Sequence, residues 1–159
     1  MDAIRPWLYV GKYRETLDAN LLSARQIGAM LQLAEAVNHP NITSLYLPVE
    51  DGVPLPSGLL RQGVGFVLSE RDCGQTILVA CEAGISRSVA FAIAALKEAE
   101  GLSLLEAAQI VKKKHPESLP HPAIWESLCV YYDEEVSIHE ILKKLTKANR
   151  IEKDHNGSR

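Results

Sequence analysis

Cysteine, methionine and aromatic residues are scarce in this 159-residue chain, which has three Cys, two Met, two Trp and two Phe. Three cysteines, at positions 73, 81 and 129, are too few and too odd for a disulfide framework, and free thiols point to a reducing compartment. Long apolar stretches are missing too. The longest uninterrupted run, Val89 to Leu96, has eight residues, against the ~20 that a membrane-spanning helix needs, and Met1 to Pro6 carries no apolar signal core. No single sign of charge dominates. Seventeen basic and twenty acidic residues leave a net charge of −3, which removes the general electrostatic argument for nucleic acid as a partner. Any anion bound here is captured by a local site. The expectation is a soluble, cytoplasmic monomer with neither a membrane nor a nucleic-acid partner.

What is present suffices for a core. With 47% hydrophobic and 23% charged residues the chain fits one globular domain, and a domain of this size buries roughly two thirds of its unfolded surface. No repeat or Gly/Ser linker interrupts it, so residues 1–135 read as the domain and 136–159 as a C-terminal helical extension with a frayed end. In that extension Ile138, Ile141, Leu142 and Leu145 recur at helical spacing, with five basic residues nearby.

Strand patterns fall at Trp7 to Val10, Thr43 to Val49 and Thr76 to Cys81, the last an apolar run buried on both faces. Helical spacing covers Pro56 to Arg71, where Gly63-Val64-Gly65 makes a poor nucleotide fingerprint. A second helix follows Cys81 and stops at Gly101. Ser103 and Glu106 form a capping box for a third, whose final lysines 112–114 complement its dipole, and a fourth starts near Pro122. Leu17 to Val37 reads equally as one long helix or as a helix, a turn and a strand. Alternating strands and helices argue for an α/β fold: a central, mostly parallel sheet of four to five strands flanked by helices.

The chemistry concentrates in Val79-Ala80-Cys81-Glu82-Ala83-Gly84-Ile85-Ser86-Arg87-Ser88, which joins the buried strand to a helix. Such a loop points successive N–H groups inward and adds the positive end of the helix dipole. Gly84 permits a tight turn, and Arg87 brings two parallel donors suited to phosphate oxygens. The same field favours the Cys81 thiolate as a nucleophile, and Ser88 is placed to donate to its sulfur. A cysteine, a glycine three residues on, an arginine after six and then a Ser or Thr is expected by chance on the order of 0.001 times in this composition.

The loop resembles the C-x5-R-[S/T] signature of the cysteine-dependent protein phosphatases, and it looks most like their small, atypical dual-specificity members. Leu8-Tyr9-Val10-Gly11 is similar to that family's first strand, Tyr46 to Asp51 to the segment that delivers its general acid, and residues 101–113 to the helix after its catalytic one. The likeness spans residues 4–133 and implies a strand at Ala29 to Leu33, which splits the ambiguous segment at Gly28. It also implies hydrolysis of phosphotyrosine and phosphoserine/threonine in proteins or peptides, through a phosphocysteine intermediate, with no metal or cofactor. In that scheme Cys81 is the nucleophile and Asp51 the general acid, with Glu50 the alternative. Arg87 and the loop residues Glu82, Ala83, Gly84, Ile85 and Ser86 bind phosphate, and Ser88 assists the thiolate.

One position departs from the pattern. Ala80 stands where the family usually has a histidine, which keeps a phosphate-binding module without turnover as an alternative. A rhodanese-type sulfurtransferase is a further one, although its loop usually lacks the Ser86-Arg87-Ser88 ending. Cys73 and Cys129 read as ordinary thiols, with a reversible Cys73–Cys81 disulfide the other reading, and His115 reads as a helix cap rather than a ligand.

Overall fold

A computed structural model describes residues 1–141. Five strands form one sheet, β1 (Asp2–Arg5), β2 (Leu8–Lys12), β3 (Ile27–Gln32), β4 (Thr43–Tyr46) and β5 (Thr76–Cys81), in the order β1-β2-β5-β3-β4. The last four run parallel and β1 pairs antiparallel at one edge. The helices bounded within the described residues are α1 (Tyr13–Thr16), α2 (Ala19–Ala24), α3 (Ser57–Asp72), α4 (Arg87–Glu100), α5 (Leu104–Lys114) and α6 (Pro122–Tyr132), and residues 138–141 are helical as well. The mixed, mostly parallel α/β sheet agrees with the sequence reading.

Alternation along the strands sorts the core into two layers. Leu8 and Val10, Ala29 and Leu31, and Ile77, Val79 and Cys81 join the large cluster that includes α3 to α6. Their neighbours Met30, Leu78 and Ala80 turn to the opposite face and pack with Leu22 and Ile27. Helix α4 is buried continuously from Ser88 to Leu96, as the central element of the larger layer.

Several boundaries differ from the sequence expectations. The strand expected at Trp7 to Val10 runs Leu8–Lys12, and the one expected at Thr43 to Val49 ends at Tyr46. The segment Leu17 to Val37 does divide into helix, turn and strand, but Gly28 is not the break. The turn lies at Arg25 and Gln26, where Gln26 takes a φ of 55°, and Gly28 sits inside β3 at a register irregularity. A Cβ at Gly28 would lie 1.9 Å from Gln75 Oε1, so any larger residue there would have to displace the Gln75 side chain. Strand β1 carries no alternation long enough to be recognised, since it is four residues at an edge.

The capping box at Ser103 and Glu106 forms as expected, the Ser103 hydroxyl accepting from the Glu106 N–H at 3.1 Å and Glu106 accepting from the Ser103 N–H at 2.8 Å. Lys112 has a more specific task than complementing a dipole. Its ammonium donates to the Pro116 and Ser118 carbonyls at 2.6 and 2.7 Å, which folds the turn after α5 back on the helix. Burial there pushes the Lys112 ammonium below its ordinary value. Ile141 packs into the large cluster, while Leu142 and Leu145 of the expected extension lie outside the described residues.

Two glycines of α3 have opposite reasons for being there. At Gly63 a Cβ would meet the buried Phe91 ring at 2.3 Å, whereas at Gly65 nothing lies within 4 Å. Gly63→Ala is therefore expected to destabilise by roughly 1–3 kcal/mol through overpacking against α4, and Gly65→Ala to stabilise by roughly 0.5–1 kcal/mol through helix propensity. Urea midpoints measured side by side check the pair. Equal shifts for both would contradict the packing assigned to Gly63.

Candidate active site

Strand β5 ends at Cys81 in the interior and α4 begins at Arg87, so the loop 82–86 must turn within the molecule. None of the N–H groups of Ala83, Gly84, Ile85 and Ser86 donates to a protein acceptor among the described residues. The loop's carbonyls are engaged instead. Glu82 O accepts from Tyr13 N–H at 3.4 Å, Ile85 O from Leu119 N–H at 2.9 Å, and Gly84 O lies 2.6 Å from His115 Nε2. In a trans peptide the carbonyl of one residue and the N–H of the next point opposite ways. Carbonyls held outward therefore aim the Ala83, Ile85 and Ser86 N–H groups toward the other side, where they converge as an anion cradle.

Gly84 makes the turn possible for two reasons. Its φ is +69°, and a Cβ there would stand 2.9 Å from the Gly11 carbonyl oxygen. From the sequence, Gly84 is expected to permit a tight turn. The structure adds that the loop packs directly on the backbone of β2.

The side chains expected to share the site do so. Cys81 is buried, with its Sγ 3.1 Å from the Ser88 hydroxyl, itself fully buried. Arg87 Nη1 donates to the Val49 carbonyl at 2.9 Å, and Arg87 Nε is buried without a partner among the described residues. A guanidinium pinned on one side and unpartnered on another is set to receive an anion. The Asp51 carboxylate accepts from the Ser86 hydroxyl at 2.9 Å, and Ser86 Oγ in turn accepts from the His121 N–H at 2.9 Å. Ser86 thus joins three loops, a function its place in the motif did not reveal.

These groups open on one cavity of about 600 Å³. Asp51, Cys81, Ser86 and Arg87 line it, and Ile85, Leu119, Pro120, Pro122 and Ile138 give it an apolar wall. Glu50 is exposed and is not among the lining residues, which sets it apart from Asp51. Ala80 lies on the opposite face of the sheet from Cys81, packed among Leu22, Ile27, Met30 and Leu78. Cys73 precedes β5 and Cys81 ends it, so the extended strand keeps the two apart by roughly 3.3 Å per residue, and a disulfide between them does not fit this fold. Both are free thiols, as is Cys129, whose thiol burial pushes up.

Comparison with known proteins agrees with this geometry. The family model described as dual specificity phosphatase, catalytic domain, matches residues 8–134. The chain belongs to this family. It is 34% identical over 115 residues to dual specificity protein phosphatase 2 of Mus musculus, covering 70% of this chain and 36% of that protein. It is 30% identical over 131 residues to dual specificity protein phosphatase 15 of Mus musculus, covering 80% of this chain and 56% of that protein. The chain therefore spans between a third and three fifths of these relatives. Among solved structures, human DUSP28 superposes with a TM-score of 0.78 at 26% identity, over 84% of this chain and 96% of that one.

The double requirement at Gly84 gives a direct check. Gly84→Ala is expected to weaken binding of inorganic vanadate about tenfold or more, since a left-handed alanine alone costs roughly 1–2 kcal/mol. Titration calorimetry reads the affinity and circular dichroism the fold. Unchanged affinity in a folded variant would refute the constraint.

Proposed function

We propose that this protein is a cysteine-dependent phosphatase that hydrolyses phosphate monoesters on protein side chains in two displacement steps. The observation that carries this reading is the convergence of unpaired loop N–H groups, Arg87 and Cys81 at the base of one cavity, with Asp51 at its rim. A tetrahedral dianion seated on the loop amides and Arg87 presents its phosphorus to Cys81 Sγ. The thiolate attacks as the P–O ester bond breaks, and charge on the equatorial oxygens is met by donors already in place. Asp51 in its acid form gives its proton to the leaving oxygen. The phosphocysteine is then hydrolysed by a water whose proton Asp51 accepts, and the Cys81 thiolate leaves with the Ser88 hydroxyl beside it.

The cavity wall favours a particular class of monoester. Among its described lining residues the only Lys or Arg is Arg87, while Glu82 and Asp51 bring negative charge. One phosphate is matched and further phosphates are repelled, which argues against polyphosphorylated inositides. Ile85, with 37% of its surface exposed, and Leu119, with 48%, offer apolar contact to whatever carries the phosphate. The ring of phosphotyrosine uses that surface more fully than the short side chains of phosphoserine or phosphothreonine.

Phosphate release from a panel of phosphotyrosine, phosphoserine and phosphothreonine peptides and a soluble inositol phosphate tests this. The expected order of kcat/KM places phosphotyrosine first, and Cys81→Ser abolishes all release. A wild-type protein that binds vanadate yet releases no phosphate from any member of the panel would instead be a phosphate-binding module without turnover.

The assignment of the acid has its own test. Asp51→Asn is expected to lower kcat by about 100-fold or more on substrates with a poor leaving group, whereas Glu50→Gln stays within about twofold. The pH–rate profiles of both variants decide between them. A reversed order would transfer the role to Glu50.

A further inference from the structure

His115 is buried, 5% exposed, at the C-terminal end of α5, yet it is neither packed only against apolar atoms nor used in the chemistry above. Its Nε2 lies 2.6 Å from the Gly84 carbonyl oxygen and its Nδ1 2.5 Å from a carboxylate oxygen of Asp2 on β1. Both partners are acceptors. A neutral imidazole has one N–H and one lone pair, so it satisfies one of these contacts and opposes the other, whereas the imidazolium donates to both. With Asp2 as the carboxylate, hydrogen bonding at both nitrogens requires both to carry protons. The half-exposed Asp2 carboxylate supplies the counter-charge.

The second half of the argument concerns the peptide that joins Gly84 to Ile85. Its carbonyl is the atom His115 holds, and its N–H is one of the inward-facing donors of the cradle. Because the peptide is planar and trans, fixing one end fixes the other. We propose that His115 is a positioning residue of the phosphate loop: as an imidazolium backed by Asp2, it pins the Gly84 carbonyl outward and thereby aims the Ile85 N–H at the bound anion. This rests on the phosphatase reading of the loop.

Loss of one proton from His115 costs one of its two bonds, and the Gly84–Ile85 peptide then loses its anchor or the ring loses its counter-charge. Anion binding and turnover are consequently expected to weaken when either contact is removed. Lys112 is committed to the Pro116 and Ser118 carbonyls, and among the described residues Asp2 is the only charged group hydrogen-bonded to the ring.

Three measurements on the intact chain test the proposal. Nitrogen-15 imidazole spectra are expected to show two protonated ring nitrogens for His115 at the pH of strongest vanadate binding. His115→Gln, which retains one donor but no charge, is expected to weaken vanadate binding and kcat/KM about tenfold or more. Asp2→Asn, a change at a half-exposed site, is expected to weaken both in the same direction, because the ring loses its anionic partner. A neutral ring in the spectra, or vanadate affinity within about twofold of wild type in either folded variant, overturns the proposal. If vanadate binding responds as expected while the wild-type protein releases no phosphate from any substrate, His115 positions the loop and it is the phosphatase reading that falls.

Discussion

Peptide N–H groups aimed at a common point repel one another, and a loop that holds them so in the absence of an anion must be restrained from behind. In this protein the restraint is exerted on the carbonyls. Glu82, Gly84 and Ile85 each turn theirs away from the cavity, and each finds its donor on a different part of the chain: Tyr13 at the start of α1, His115 at the end of α5, and Leu119 in the turn beyond. The shape of the loop is therefore not a local property of its own sequence. Three separate contacts fix three peptide planes, so the loop's N–H groups are oriented by the fold before any anion arrives.

Those contacts would be of little use if the helix that follows were free to shift. Helix α4 is buried from Ser88 to Leu96, and it meets the sheet, α3, α5 and α6. Val89, Phe91, Ile93 and Leu96 each contribute about 1.5–3 kcal/mol of hydrophobic stabilisation, so displacement of its N-terminus disturbs many contacts at once. Gly63 lets α3 approach the Phe91 ring closely. At the far end, Glu134 accepts from Lys97 of α4 at 2.7 Å and from the Leu104 N–H at the start of α5 at 2.9 Å, which ties the end of one helix to the beginning of the next. Burial pushes the Glu134 carboxyl up, but these two hydrogen bonds outweigh it and hold the group below its ordinary value. The stabilisation from that joint is accordingly present at neutral pH and fades as pH falls through the lowered titration.

The sequence made the reacting groups legible because they are close in the chain. Cys81, Gly84, Arg87 and Ser88 fall within eight residues, and the strand before them and the helix after them have clear patterns. Asp51 was reached through resemblance, and its carboxylate does meet Ser86 in the fold. What stayed hidden depends on contacts between residues far apart in sequence. His115 reaches Gly84 across 31 residues and Asp2 across 113, and no periodicity encodes either pairing. Gly28 has the look of a break because glycine ordinarily marks one, but here it faces the Gln75 side chain, just before β5. Strand β1 was overlooked because four residues at a sheet edge show no face to read.

Ser86 shows how a broken local rule carries information about the site. A serine at the N-cap of a helix ordinarily turns its hydroxyl back to accept from the second or third N–H of that helix, and Ser86 occupies the N-cap of α4 without doing so. Its hydroxyl has one proton, which goes to the Asp51 carboxylate, and it accepts from the His121 N–H. The Asp51 segment and the turn before α6 are thereby fastened to the 82–86 loop through one oxygen. The first turn of α4 is left uncapped, its positive end open to the cavity that Cys81 and Arg87 share. A capping hydroxyl would compete with a bound anion for those N–H groups. Local stability surrendered at this position is the condition for binding there.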